Sequence, residues 1–201
     1  MSSFLLPHLG AVPLRTAYVG SALQPLPLNN NTYAPGQIWV ARASDAGAHA
    51  VTTIARARAD EPGLRALLEQ LDDYQRALYP SARRPALELH ALLQPSVRLL
   101  VVRDARQQAL ACGAVVLRED YAELNGMMVL PAQRGRGLGS QLLRALERES
   151  VRAGRPLLRL QTGVRQHDAQ RLYERLGFRR CGPFGGHRAD PFAVFMEKLL
   201  G

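Results

Sequence analysis

A glycine-rich loop between an apolar strand pattern and an amphipathic helix pattern constrains this chain more than any other segment. The apolar run 127–130 ends at Pro131, and three glycines and two arginines follow before Ser140. Apolar residues then recur on one helical face from 142 onward. Glycine lets a backbone approach a ligand closely, and a helix N-terminus presents unpaired N–H groups. The segment therefore predicts an anion site, most often for phosphate.

The spacing of this loop separates the candidate phosphate ligands. A Walker loop requires a lysine, and the loop has none. The dinucleotide fingerprint requires Gly-x-Gly-x-x-Gly, but Ser140 stands where the third glycine would follow Gly135 and Gly137. The remaining pattern is Arg134-x-x-Gly137-x-Gly139. An ordinary glycine-rich turn before a helix is the alternative for this loop taken alone.

A second segment, residues 172–178, helps to identify the protein family that the chain resembles. Leu172-Tyr173 stands at the end of a helix pattern, and Gly177-Phe178 follows, with glycine at a typical helix-ending position. The loop and this segment, in this order, resemble the two signatures of the GCN5-related N-acetyltransferase (GNAT) family. The first is the family's acyl-CoA pyrophosphate loop and the second its Leu-Tyr-x-x-x-Gly-Phe helix end. The resemblance covers roughly residues 51–200.

The resemblance implies where acetyl-CoA, the co-substrate, would bind. Its pantetheine arm would pair with the backbone of the central strand, and its pyrophosphate would sit on N–H groups of the loop. Gln166 stands where family members often have an asparagine that touches the coenzyme. The implied coenzyme-binding residues are Met127, Met128, Val129, Arg134, Gly135, Arg136, Gly137, Leu138, Gly139, Ser140 and Gln166.

The resemblance also implies two catalytic residues. The hydroxyl of Tyr173 would protonate the departing thiolate, although a core position at helical spacing is the local alternative. Glu123 is the candidate base, alone or through a water relay, because the amine must lose a proton before it attacks. An exposed place at a strand edge is the alternative for Glu123. A backbone N–H at Met128 or Val129 would hold the oxyanion.

No metal is expected, because the five histidines show no ligand spacing and each is predicted to lie on the surface or in a loop.

Motifs of the C-terminal half recur in the order 162–166, 173–178, 181–185, 190–191 and 195–198. In this they resemble a bacterial subgroup of uncharacterised small-molecule acetyltransferases, and the expectations about the acceptor follow from that resemblance. It implies that Tyr79 and the segment 79–90 form the acceptor wall, with a simple helix terminus as the alternative. Tyr79 and Asn125 are the candidate substrate-binding residues, and Asn125 and Gly126 replace a Lys-Arg pair that related sequences often carry beside the acceptor. A glycine within a strand suggests a bulge or a close backbone approach.

Three functions remain open at this point. The first is acetyl-CoA-dependent N-acetyl transfer, directly to a primary amine of a small molecule or amino-acid-like acceptor. The second is transfer to a protein N-terminus or lysine, and the third is a non-catalytic acyl-CoA-binding regulatory module. The net charge of +9 attracts anions, but scattered arginines without interleaved aromatics argue against nucleic acid. A homodimer is possible.

Size and composition suit one domain with an extension. Residues 1–50, with no acid before Asp45, are predicted to be a poorly ordered N-terminal extension, and 51–201 to be the N-acetyltransferase domain. No apolar stretch approaches the ~20 residues of a membrane helix. Two cysteines, Cys112 and Cys181, are expected to be buried free thiols, which fits a cytoplasmic setting.

The order of periodic segments after residue 51 is β-α-α-β-β-β-α-β-α-β-β. It predicts an α/β (α+β) fold with a mixed, mostly antiparallel twisted sheet of about seven strands and about four helices. The family resemblance implies that the central parallel pair, 121–130 and 157–162, splays apart. The first helix is predicted to start at Asp60 as cap, with Pro62 in its first turn.

Overall fold

The computed structural model describes residues 39–42, 51–57, 63–79, 89–92 and 94–201. These residues form one mixed sheet with helices on both faces. The strands are β1 (Trp39–Arg42), β2 (Val51–Arg56), β3 (Val97–Arg103), β4 (Ala109–Leu117), β5 (Ala122–Val129), β6 (Leu157–Gly163), β7 (Arg179–Cys181) and β8 (Ala193–Leu199). The helices are α1 (Leu64–Leu78), the single turn α2 (Leu89–Leu92), α3 (Leu138–Arg152) and α4 (His167–Arg175), with a 3₁₀ turn at Pro131–Gln133.

The sheet has the order β1-β2-β3-β4-β5-β6-β8-β7. Within the described part of the chain, β5 and β6 are parallel and every other strand pair is antiparallel. The predicted fold class is therefore confirmed. Seven of the strands follow residue 51, as expected, and β1 adds an eighth at one edge.

The central parallel pair separates partway along its length. Its register runs from Ala122 opposite Leu158 to Leu124 opposite Leu160 and then stops. Strand β5 continues to Val129, paired on its other side with β4, while β6 continues to Gly163, paired with β8. Each strand is thus held by its outer neighbour while the two diverge from each other. The implied splay is confirmed.

Two expectations about the N-terminal part change. Four residues of the predicted extension, Trp39–Arg42, form β1 and pair with β2, so the sheet begins before residue 51. Helix α1 begins at Leu64, preceded by Gly63 in a left-handed conformation with φ of 76°, which glycine adopts without a Cβ penalty. Asp60 and Pro62, the predicted cap and first-turn residue, lie outside the described residues.

The core consists of two apolar layers, one on each face of the sheet. Successive residues of a strand point to opposite faces, and β3 follows this rule: Leu100 and Val102 contact the layer under α3, while Leu99 and Val101 contact the layer under α1. The buried α1 residues are Leu64, Leu67, Leu68 and Leu71, and the largest buried α3 residues are Leu142, Leu143 and Leu146. Burying each such leucine contributes about 1.5–3 kcal/mol. The faces are called the α1 face and the α3 face below.

Candidate active site

A cavity of about 530 Å³ lies beside β5, beyond the point where its pairing with β6 ends. Its lining combines the end of β5, the glycine-rich loop, the start of α3, one side of α4, and Leu71 and Tyr74 of α1. Every predicted coenzyme residue except Arg136 belongs to this lining, and so does Tyr173. The structure therefore brings together two segments that the sequence placed far apart in the chain.

The glycine-rich loop ends in a helix N-terminus that faces the cavity. Gly135 and Gly137 both have φ of 76°, a left-handed conformation that favours glycine, and Gly137 is the residue before α3. The N–H groups of Leu138, Gly139 and Ser140 lie in the first turn of the helix, where no intrahelical acceptor exists. Together with the positive end of the helix dipole, they form a site suited to a phosphate or another anion.

Gly139 allows helix α3 to pack closely against its neighbours. A Cβ built on it would lie 3.3 Å from Cδ2 of Leu172 and 3.8 Å from Cγ2 of Val129. Helix α3 therefore starts in close contact with both α4 and the end of β5. This contact accounts for the third glycine of the loop without any ligand.

The two loop arginines differ in position. Arg134 lines the cavity, its Nε donates to the backbone oxygen of Val129 across 3.3 Å, and its guanidinium lies 5.5 Å from the ring centroid of Tyr74. Arg136 is exposed, donates to the side chain of Gln133, and lies outside the cavity lining. Of the two loop arginines, only Arg134 therefore lies beside the cavity.

Tyr173 is buried on α4 and lines the cavity, with its ring centroid 5.7 Å from that of Phe178. Burial raises the pKa of the Tyr173 phenol well above its ordinary value. The phenol therefore keeps its proton at neutral pH, which is the state in which it can donate to a leaving group.

Gln166 closes the turn between β6 and α4. Its Oε1 accepts hydrogen bonds from the hydroxyl of Thr162 at 3.0 Å and from the backbone N–H of Gly163 at 2.7 Å. Because the oxygen is occupied, its amide N–H₂ is the part that can donate into the cavity it lines.

Glu123 is buried on the α1 face of β5 rather than exposed at a strand edge, so that alternative is wrong. Its side chain is 7% exposed, and both carboxylate oxygens have partners. Oε2 accepts from Nε and Nη2 of Arg118 at 3.2 and 2.9 Å, and Oε1 lies 2.8 Å from Nε2 of His187. Glu123 does not belong to the cavity lining.

His187 is the residue that sequence reasoning missed. It lies in the loop between β7 and β8, as expected, but its side chain is only 30% exposed. Its ring packs 5.0 Å from that of Phe184 and 5.8 Å from that of Phe195, between centroids. The two glycines before His187 indicate a loop, and no local pattern indicates its contact with a glutamate on a distant strand.

A bulge in β5 alters which side chains face α1. Gly126, with φ of 61°, and Met127 together stand opposite Gly113 of β4, where the register shifts. The predicted bulge is therefore confirmed. Asn125 lies on the α1 face, opposite Ala114, and the extra residue returns Met128 to that same face, opposite Cys112.

Tyr79 is buried where α1 ends and lies outside the cavity lining. Its hydroxyl accepts a hydrogen bond from the backbone N–H of Arg165 at 2.8 Å, and the Arg165 guanidinium lies 5.9 Å from its ring centroid. Its ring also lies 6.4 Å from that of Phe192. These contacts give Tyr79 a structural role, and most of the predicted acceptor wall, 80–88, lies outside the described residues.

The other sequence expectations concern thiols, metals and membranes. Cys112 is a buried free thiol, as expected, and burial raises its pKa to about 12. Cys181 is also free, but it is partly exposed, so the expectation that it is buried was wrong. Over the described ranges, no group of three metal-binding side chains is positioned to hold an ion. No helix in these ranges has the length and apolar character needed to cross a bilayer.

Comparison with known proteins defines the class of this chain. Residues 64–178 match the model of the acetyltransferase (GNAT) family. An IAA acetyltransferase from Azospirillum brasilense is 39% identical over 150 residues, which cover 74% of this chain and 97% of that protein. An uncharacterised N-acetyltransferase, YsnE, from Bacillus subtilis is 31% identical over 118 residues, 57% of this chain and 78% of that protein.

Solved structures of similar proteins support the same family assignment. A protein assigned as an acyl-CoA N-acyltransferase from Klebsiella pneumoniae superposes with a TM-score of 0.64 at 34% identity, covering 75% of this chain and 98% of that one. A Salmonella typhimurium acetyltransferase solved with acetyl-CoA shares the fold, with a TM-score of 0.54 at 20% identity over 75% of this chain and 94% of that one. The chain belongs to the GNAT family and is an N-acetyltransferase.

Proposed function

We propose that this enzyme transfers the acetyl group of acetyl-CoA directly to the primary amine of a small or amino-acid-like molecule. The observation that carries the proposal is the cavity at the β5–β6 separation, which has an anion site at one end and a protonated, buried Tyr173 in its wall. A coenzyme with a pyrophosphate and a reactive thioester requires both groups within one site.

The unpaired edge of β5 supports the placement of the pantetheine arm. Beyond Leu124 the side of β5 that faces β6 has no strand partner among the described residues. An extended ligand that carries amides can hydrogen-bond to such an edge as an added strand would. The arm would therefore lie along Met127–Val129, with the pyrophosphate on the first turn of α3.

The reaction would form a C–N bond while the C–S bond of the thioester breaks. A backbone N–H at Met128 or Val129 would hold the oxyanion, because both residues line the cavity. Tyr173 would give its proton to the coenzyme thiolate. The amine would lose its proton toward the α1 face, where Glu123 lies.

The acceptor is proposed to be a small molecule. An aminoalkylphosphonate N-acetyltransferase from Salmonella typhimurium shares 41% identity with this chain over 58 residues, 29% of this chain and 38% of that protein. That relative is named for an aminoalkylphosphonate, which is a small molecule. Transfer to a protein N-terminus or lysine is the outcome that would replace this proposal.

The experiment is a thiol-release screen with acetyl-CoA and three alkyl amines: 2-phenylethylamine, ethanolamine and 2-aminoethylphosphonate. A short lysine-containing peptide and a peptide with a free N-terminus complete the panel. We expect catalytic thiol release with at least one small amine, with the acetylated amine identified by mass spectrometry. Turnover with the peptides alone would contradict the proposed acceptor class.

Direct transfer is tested on the same protein without acceptor. We expect the mass of the intact chain to stay unchanged after incubation with acetyl-CoA, because the acetyl group leaves the coenzyme only for the amine. A stable acetyl adduct that disappears when amine is added would show a covalent intermediate and overturn this step.

A further inference from the structure

His187 and Glu123 form a pair on the α1 face, at the place where the two central strands begin to part. Glu123 stands opposite Arg159 of β6, one residue before the last paired position, Leu124. The His187 ring lies over this place, with Nε2 2.8 Å from Oε1 of Glu123. Tyr173 packs in the layer on the α3 face. The pair and the phenol thus lie on opposite faces of the sheet, the pair beside the last paired positions of β5 and β6 and the phenol in the cavity wall.

We propose that His187 is the general base that takes the proton from the acceptor amine, and that Glu123 is the positioning residue that orients it. The proposal rests on the acetyl transfer proposed above and names a proton acceptor for it.

The hydrogen bonds assign these roles. Both oxygens of Glu123 are occupied, by Arg118 and by His187. An ionised carboxylate only accepts hydrogen bonds, so Nε2 of His187 carries the hydrogen and Nδ1 keeps its lone pair. Nδ1 has no hydrogen bond to any described residue. The imidazole therefore has one nitrogen fixed and the other free to receive a proton.

Two arginines near His187 on the α1 face have carboxylate partners. Arg118 is paired with Glu123, and across the strands Arg159 is paired with Glu197, Nε to Oε2, at 3.0 Å. The guanidinium of Arg159 also lies 5.3 Å from the ring centroid of Tyr121. Arg118 and Arg159 are thus each balanced by a carboxylate, and Arg188, the neighbour of His187 in the chain, is exposed. Glu123, the carboxylate in contact with the ring, carries the opposite charge to the imidazolium that proton transfer creates.

The protons balance in this scheme. The alkylammonium acceptor gives its first proton to Nδ1 of His187, which later returns it to solvent. The amine nitrogen then attacks the thioester carbonyl and the C–S bond breaks. Tyr173 protonates the thiolate and recovers a proton from the nitrogen of the collapsing intermediate, so the products are the amide, coenzyme A and one proton.

The test uses two acceptors that differ in their need for a base. One is whichever of the three alkyl amines above gives the fastest thiol release, and the other is hydroxylamine, which is already unprotonated at neutral pH. For His187→Gln we expect kcat/KM with the alkyl amine to fall about 10²- to 10⁴-fold. With hydroxylamine we expect a fall of less than about tenfold, because no base is needed.

The pH profile gives a second readout. With the alkyl amine, kcat/KM of His187→Gln is expected to keep rising with pH up to the pKa of the amine itself, because without a base only the unprotonated amine reacts. The parent and His167→Gln, a matched change at an exposed histidine outside the cavity lining, should instead level off at a lower pH. Glu123→Gln should reduce the rate less than His187→Gln, because an amide oxygen can still accept from Nε2. Acetyl-CoA binding should be unchanged in all three variants.

The outcomes separate this proposal from the proposed function. Equal losses with both acceptors, or a pH profile of His187→Gln that levels off at the same pH as that of the parent, would overturn the role of His187 while leaving acetyl transfer intact. Failure of the parent protein to bind acetyl-CoA or to acetylate any amine would instead overturn the proposed function.

Discussion

The hydroxyl of Tyr79 accepts a hydrogen bond from the backbone N–H of Arg165 across 2.8 Å, which ties the end of α1 to the turn after β6. The two groups are 86 residues apart in the chain. The bond fixes α1, which contributes Leu71 and Tyr74 to the cavity, against the strand that forms the other side of the opening. A hydrogen bond of this kind contributes about 0.5–1.5 kcal/mol to stability.

The packing around Tyr79 predicts a strong effect of one added methyl group. A Cβ on Gly163 would lie 2.6 Å from Cζ of the Tyr79 ring, an atom that cannot move without the whole ring. We expect Gly163→Ala to lower the free energy of unfolding by about 1–3 kcal/mol, measured by urea denaturation. Gly182→Ala is the matched control, since nothing lies within 4 Å of its added Cβ. Equal stability of the two variants would show that the Tyr79 ring adjusts freely.

The buried ion pair of Glu149 should contribute more to stability than an exposed ion pair does. This carboxylate is 5% exposed and accepts from Nε and Nη2 of Arg56 at 3.2 and 2.7 Å. We expect Glu149→Gln to destabilise the fold by about 1–3 kcal/mol, because the neutral amide binds the Arg56 guanidinium more weakly than the buried carboxylate does. Asp73→Asn, which alters an exposed ion pair with Arg76, should cost less than about 1 kcal/mol. Thermal unfolding of both variants compares them, and a reversed order would contradict the role given to burial.

The variant Tyr173→Phe tests the proposed role of Tyr173 as the general acid that protonates the coenzyme thiolate. The variant keeps the ring and its packing on Phe178 but has no proton to give. We expect kcat to fall by about 10²-fold or more, while the dissociation constant of acetyl-CoA stays unchanged. Steady-state kinetics and calorimetry measure the two quantities separately. An unchanged kcat across the whole pH range would remove Tyr173 from the mechanism.

The Cys112 thiol predicts how stability depends on pH. Its pKa rises on folding from the ordinary value of 9.0 to about 12, because burial disfavours the thiolate. The unfolded chain therefore loses this proton first, and the resulting stability, complete below pH 9, is lost as pH rises toward 12. We expect the free energy of unfolding to fall less steeply over this interval in Cys112→Ala than in the parent, followed by urea denaturation. If the free energies of unfolding of the two proteins fell in parallel with pH, the Cys112 thiol would not be shielded from solvent in the folded state.

The two cysteines should also differ in reactivity. Cys181 is partly exposed, whereas Cys112 is buried between β3 and β5. We expect iodoacetamide to modify Cys181 first in the native protein and Cys112 only in denaturant, as read by peptide mass spectrometry. Early modification of Cys112 would indicate local opening at the bulge.

Local patterns predicted most of what positions the site. Glycine at 135, 137 and 139 before a helical period fixes the loop geometry, because those conformations are decided within a few residues. The strand glycine Gly126 predicted the bulge on the same ground. The parting of β5 and β6 was implied by the family resemblance rather than by the residues themselves.

Contacts between distant side chains could not be predicted in this way. The partners of Glu123 include His187, 64 residues away, and nothing in the periodicity of either segment records that distance. The same holds for Tyr79, whose structural bond to Arg165 arises only when α1 packs across the end of β6. Such pairs depend on tertiary packing, which overrides local preference.

The central claim, that the loop before α3 holds the coenzyme, is tested most directly by calorimetric titration of acetyl-CoA into three proteins. They are the parent, Gly137→Glu and Gly154→Glu. Both glycines have positive φ, 76° and 72°, and nothing lies closer than 4.0 Å to either added Cβ, so strain and charge change are matched.

Gly137 precedes the N-terminus of α3, whereas Gly154 lies just beyond the other end of the helix. We predict that Gly154→Glu binds acetyl-CoA as the parent does and that Gly137→Glu loses at least about tenfold in affinity, or ~1.4 kcal/mol. Equal binding by all three proteins, or no binding by the parent, would contradict the account.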